Sequence, residues 1–198
     1  VPHRQNLPAI ERSHLLAATL PHPYDVMALP TAYAGPRWGE VVALETGDVN
    51  TRDRTIHIRR TAVEAGGMSI QPPKNRRHRL TFYPDHLAAS VERVCDEARI
   101  RAADGGSSRL FPSRQDRIMR RSNFHRRYWQ AARNQAGWHQ GWTFHTLRHC
   151  AAVWMLFDLD CDVHDVAEVL GHADPTVTQR IYVQAREGVA SRLAQRAS

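Results

Sequence analysis

Apolar positions recur along the chain with two different periods. From Ile10 to Leu20 they fall at helical spacing, with Leu15, Leu16 and Leu20 on one side, and Pro21 and Pro23 break the run. Tyr24 to Tyr33 is mostly apolar, as in a buried helix that Pro30 should kink or shorten. Gly35-Pro36 signals a turn, and Arg37 to Leu44 predicts a short helix with Val41, Val42 and Leu44 inward. The period then shortens. Across Arg54 to Val63, Ile56 and Ile58 alternate with Thr55, His57 and Arg59, as in a half-buried strand. Gly66-Gly67 makes a turn, and Met68 to Gln71 and Arg79 to Tyr83 predict two further short strands.

From Pro84 onward the helical period returns. Asp85 is placed to cap a helix that turns Leu87, Val91 and Val94 inward, and Asp104 to Ser108 is a loop. Arg114 to Trp129 is arginine-rich, with Phe124, Tyr128 and Trp129 interleaved. Thr143 caps a helix over His145 to Asp158; Asp162 caps Val163 to Leu170, which Gly171 ends. Asp174-Pro175 opens another helix, and Glu187 to Arg196 predicts a polar terminal one. No internal repeat or low-complexity tract interrupts this order.

The bulk numbers narrow the possibilities. A length of 198 residues fits one domain, or one large and one small, and 42% hydrophobic content allows a packed core. A net charge of +7 points to a polyanionic partner. Three cysteines without a CxxC pair argue against a disulfide framework or zinc knuckle and fit a reducing compartment. Cys150 and Cys161 lie in apolar company and read as small core residues. The longest apolar run, Cys150 to Phe157, is far short of the roughly 20 residues of a membrane span. Soluble, cytoplasmic protein is the expectation.

The candidate chemistry lies in short, separated motifs. Arg37 and Glu40 stand three apart, on one face of a helical turn. Lys74 is the only lysine in the chain and should sit near the tip of a β-hairpin, between Met68 to Gln71 and Arg79 to Tyr83. His145 and Arg148 share a face just inside a helix start, where dipole character favours an anion. Leu170-Gly171-His172 follows a helix end, and Tyr182 comes ten residues after His172. Singly each motif has a plainer reading: a surface ion pair for Arg37 and Glu40, packing histidines for His145 and His149, a core aromatic for Tyr182. A zinc pair at His145 and His149 lacks the glutamate of HExxH.

Taken in order, Arg37, Lys74, His145-x-x-Arg148, His172 and Tyr182 resemble the tyrosine recombinase (phage integrase) family, from about Asn6 to Gln184. The resemblance implies an α+β, mainly α-helical catalytic domain with a small three-stranded antiparallel sheet over residues 9–198. Residues 1–8 would be the remnant of an interdomain linker. It implies DNA cleavage and rejoining through a 3′-phosphotyrosine. Tyr182 would be the nucleophile, Arg37 and Arg148 the clamp on the non-bridging oxygens, and Lys74 the acid for the leaving 5′-oxygen. His145 would take part in proton transfer and His172 would donate to the phosphate. Glu40 and His149 would support them. Arg76, Arg77, Arg79, Arg120 and Arg121 are candidate DNA contacts. No metal or other cofactor is implied.

The implied partners are double-stranded attachment sites, a homotetramer on that DNA, and a directionality factor or host DNA-bending protein, with no membrane. The place of action would be the bacterial nucleoid. The chain departs from the family pattern at Ala34-Gly35-Pro36-Arg37, where threonine-glycine-apolar-arginine is usual, and at Asn75, where threonine often follows the lysine. Two rival readings remain open on sequence. Asp165 to Leu170, a Gly turn and Pro175 to Tyr182 also fit a helix-turn-helix, as in a non-catalytic DNA-binding regulator, and a type IB topoisomerase uses related chemistry.

Overall fold

The computed structural model describes residues 9–73, 78–183 and 185. Its centre is helix α2 (Tyr24–Ala34), apolar on nearly every side and packed between α1 (Ile10–Ala17) and α7 (Phe144–Phe157). Leu16, Met27 and Leu147 meet in this layer, each at most 1% exposed. Burying a side chain of this size contributes about 1.5–3 kcal/mol. That packing explains the fate of Pro30. The helix runs through it to Ala34 rather than stopping, because burial on both flanks outweighs the ~3 kcal/mol cost of an interior proline.

The short helix after the turn covers only Trp38–Val41 (α3), although Val41, Val42 and Leu44 all point inward. The β region is divided differently from its sequence pattern. Strands β1 (Val49–Asn50), β2 (Thr55–Ile58) and β5 (Arg79–Phe82) form a three-stranded antiparallel sheet in the order β1-β2-β5, with Ile56 opposite both Val49 and Thr81. Among the described residues, strands β3 (Thr61–Glu64) and β4 (Met68–Gln71) pair only with each other, so the expected hairpin of Met68–Gln71 with Arg79–Tyr83 does not form. The expected continuous strand Arg54 to Val63 is therefore broken at Arg59-Arg60. Both guanidiniums turn to the buried carboxylate of Asp48, and Arg60 also reaches Glu45.

Helix α4 (Ala88–Ala103) buries Val91, Val94, Cys95 and Ala98. Asp85 does not cap it; it pairs with Arg54 at 3.3 Å. The arginine-rich segment becomes α5 (Arg121–Phe124), a π-helical turn at His125–Trp129 and α6 (Gln130–Gln135). Its aromatics are core: Trp129 and Phe124 are buried, and Phe124 packs against Tyr24, Trp38 and Phe144. The last elements are α8 (Val163–Leu170), whose cap Asp162 accepts the His164 N–H at 2.7 Å, and a helix, α9, at residues 176–183. Cys95 and Cys150 are buried and Cys161 half-buried, all as free thiols. No helix among the described residues is long and apolar enough to cross a membrane.

Candidate active site

Three helix ends converge beside β5. Helix α2 stops at Gly35, which takes φ +67, a conformation costly for any residue with a Cβ. A Cβ there would also stand 2.2 Å from Cδ2 of Leu170, the last residue of α8. This close approach seats the end of α8 over the end of α2. The exposed carbonyls of α2 are then taken up in turn. The Thr81 hydroxyl donates to the Ala34 carbonyl at 2.8 Å, and Arg148 Nη1 donates to the Gly35 carbonyl at 2.5 Å. Arg148 comes from the second turn of α7, whose start is tied down by a Thr143 N–H to Thr146 hydroxyl bond of 3.1 Å.

Arg37 caps α3. Its backbone N–H donates to Glu40 Oε2 at 2.7 Å and its Nη1 to Oε1 at 3.1 Å, while Nη2 donates to the Gly171 carbonyl at 2.8 Å. Glu40 is only 1% exposed, yet its carboxyl is held below the usual range. Burial alone pushes it up; the fork from Arg79 and the bonds from Arg37 overcome that. Arg79 is the surprise. Expected as a DNA contact, it places Nη1 and Nη2 on the two Glu40 oxygens at 3.0 and 2.6 Å and Nε on the Val169 carbonyl at 3.0 Å. Its side chain is 8% exposed. All three guanidinium nitrogens are engaged inside the protein, so the DNA-contact expectation for Arg79 gives way to a structural one.

Arg148 is 2% exposed, and its Nη2 has no hydrogen-bond partner among the described residues. Burial, then the neighbouring Arg37 charge, pulls its pKa down to about 9, which still leaves it protonated at neutral pH. His172 lies just past Gly171, where its N–H donates to the Ala167 carbonyl at 2.8 Å. Its ring Nδ1 is 2.8 Å from the Thr178 hydroxyl of α9. Burial, then Arg148 and Arg37, lowers its pKa to about 3, so the ring is neutral. His145 is also shifted down, by burial first and then by Arg148, Arg121 and Arg37. Its ring packs edge-on against His149, with centroids 5.0 Å apart. Two arginines, neutral histidines and a single deeply paired carboxylate make a pocket suited to a singly charged oxyanion.

Tyr182, on α9, is half-buried with its ring stacked on Phe157 at 5.3 Å. Lys74, Arg76 and Arg77 lie outside the described residues. Arg120 and Arg121 are exposed; Arg120 pairs loosely with Glu64 at 3.6 Å. Beside the pocket an open groove of about 1230 Å³ runs between β5 and α8, lined by His57, His78, Arg79, Glu168 and His172 among others. Among the described residues no group of His, Cys, Asp and Glu is arranged to hold a metal ion. Two members of the site escaped sequence reasoning. Thr178 is 0% exposed and fixes the His172 ring, but nothing in its spacing announces that. Arg79 as the partner of Glu40 could have been suspected only from an acid buried with too few bases near it in sequence.

The comparisons follow this geometry. The crystal structure of XerA recombinase superposes on all of this chain and 65% of its own, with 20% identity and a TM-score of 0.71. The Tn1549 transposon integrase in complex with transposon right end DNA superposes on 93% of this chain and 64% of its own, with 17% identity and a TM-score of 0.70. The XerH site-specific recombinase bound to a palindromic difH substrate, a post-cleavage complex, matches 98% of this chain and 53% of its own at 20% identity and TM-score 0.63. The chain thus spans under two thirds of the length of these three, and at such identities they share its fold. No curated protein sequence matches it. A sequence model of the phage integrase family does match, over residues 12–188, and on that match the chain belongs to the phage integrase family.

Proposed function

We propose that this chain is the catalytic domain of a site-specific DNA recombinase, a phage or prophage integrase. The observation that carries the reading is Arg148: a buried guanidinium with one nitrogen on the Gly35 carbonyl and another without a partner among the described residues, next to Arg37 and a neutral His172. A non-bridging phosphate oxygen supplies the missing acceptor. Removing one such donor from a transition-state site typically costs 10²–10³ in rate.

The roles follow. The Tyr182 phenolic oxygen attacks the scissile phosphorus; the O–P bond forms as the bond to the 5′-oxygen breaks, giving a 3′-phosphotyrosine. The phenol loses its proton toward His145, and Lys74 gives one to the leaving 5′-oxygen. Arg37 and Arg148 hold the non-bridging oxygens. His172 donates from Nε2, which requires that Thr178 donate its hydroxyl proton to Nδ1. Glu40 orients Arg37, and His149 packs against His145. A second round with another strand restores the phosphodiester, so the energy of the broken bond is conserved in the phosphotyrosine. Four copies act on two attachment sites, with Arg76, Arg77, Arg120 and Arg121 on the backbone. The place of action would be the nucleoid.

The test is covalent capture. A labelled pool of nicked duplexes with a randomised core is incubated with the protein, denatured, and scored for protein-linked DNA. Wild type forms an adduct; Tyr182→Phe forms none while keeping DNA affinity within about twofold, since phosphate contacts persist. DNA binding without any adduct in wild type would instead mark a regulator.

A further inference from the structure

Arg79 belongs to β5, which pairs with β2, and not to the helices that carry the rest of the site. Yet all three of its guanidinium nitrogens donate inside the protein. Its fork covers both Glu40 oxygens, and its Nε holds the Val169 carbonyl, two residues before Gly171. Glu40 in turn holds Arg37 by backbone and side chain, and Arg37 holds the Gly171 carbonyl. The four groups close a ring: Arg79 to Glu40, Glu40 to Arg37, Arg37 to the end of α8, and the end of α8 back to Arg79. Gly171 completes the fit. It takes φ +68, and a Cβ there would stand 2.9 Å from Arg79 Cδ.

From this ring we infer that Arg79 is a positioning residue of the cleavage reaction. It acts through Glu40 to orient Arg37, and through the Val169 carbonyl to fix the residue pair Gly171-His172. It touches neither substrate nor the attacking oxygen. With Glu40 paired to Arg37 alone, the carboxylate would pull that guanidinium inward, away from phosphate. With Arg79 taking the same oxygens, two cations share one acid, and Arg37 retains charge for an oxyanion. The inference rests on the recombinase reading.

The distinguishing variants are Arg79→Lys and Glu40→Gln. A lysine keeps the charge but cannot fork onto two oxygens and a carbonyl at once. On nicked duplexes captured by wild type, Arg79→Lys should keep its thermal midpoint within a few degrees and its DNA affinity and salt slope unchanged, while single-turnover cleavage falls at least about tenfold. A 5′-bridging phosphorothiolate, which leaves without a proton, should not restore the rate. Glu40→Gln, nearly isosteric, should show the same pattern, and the double variant should be no slower than the slower single. Loss of DNA affinity in step with a shallower salt slope would make Arg79 a phosphate contact and overturn the inference. So would full-rate cleavage by Arg79→Lys, rescue by the phosphorothiolate, or independent losses in the double variant. If Arg79→Lys fails to fold, Glu40→Gln cleaving at the wild-type rate is by itself sufficient to overturn it. Absence of any adduct in wild type would instead sink the recombinase reading.

Discussion

On the pocket histidine His172, burial and two arginines push the same way, and that has a consequence for stability. His172 has its pKa lowered from 6.5 to about 3 in the fold. Between those values the unfolded chain binds a proton that the folded one refuses, so stability rises with pH and falls as pH drops through the window. Glu40 acts in the same direction, but only below its ordinary 4.5, because its folded pKa is depressed. The interval from 4.5 to 6.5 therefore lies above Glu40's ordinary value and within the range of the histidines. The thermal midpoint should decline on acidification across it, and His172→Gln should flatten, without removing, that decline, since His145 and His14 are shifted the same way. Equal slopes in the two proteins would mean that His172 is solvated.

At the scale of elements, the helix ends matter more than the helices. Gly35→Ala would force a Cβ into φ +67 and against Leu170. We expect a loss of about 1–3 kcal/mol from the backbone conformation alone, more from the clash, and a drop in adduct formation beyond what unfolding explains; denaturant melts and capture on the same samples separate the two. The sequence made these ends legible because their chemistry is local. Gly35, Thr143, Asp162 and Gly171 are read from neighbours a few residues away; Thr143 and Asp162 start helices and Gly35 and Gly171 end them. Pairing across the chain was not legible. The strand Arg54 to Val63 looks continuous until Asp48 and Glu45 claim Arg59 and Arg60. Arg79 looks like one more basic residue of the hairpin until Glu40, 39 positions earlier, is seen beneath it. The candidate site residues were read as an ordered set through the family resemblance, but Thr178 and the carbonyls that hold the arginines have no signature in one dimension.

Across the whole molecule, 27 basic against 20 acidic residues leave a net +7, and buried pairs such as Arg79 with Glu40 neutralise part of the acid. Binding to duplex DNA should be dominated by backbone neutralisation, with log affinity falling steeply and linearly against log salt. Charge reversal at Arg120 or Arg121 should reduce that slope by about one or more each, uniformly across sequences. A slope that ignores both substitutions would move the interface to another face.

The Arg148 nitrogen that has no partner among the described residues makes the protein a sensor of oxyanions. A buried donor without an acceptor costs about 1–3 kcal/mol, and any oxyanion that supplies the acceptor returns that amount to the folded state alone. Melting temperature then becomes a titration curve. Inorganic phosphate should raise it above a chloride control of equal ionic strength, and the excess should saturate with concentration as a single site does. In Arg148→Met only the unsaturating, general salt effect should survive. A saturating excess that persists in that variant would place the anion elsewhere. On the proposed reading, readiness for a phosphodiester makes the domain a little less stable, and the deficit can be read in degrees before any DNA is added.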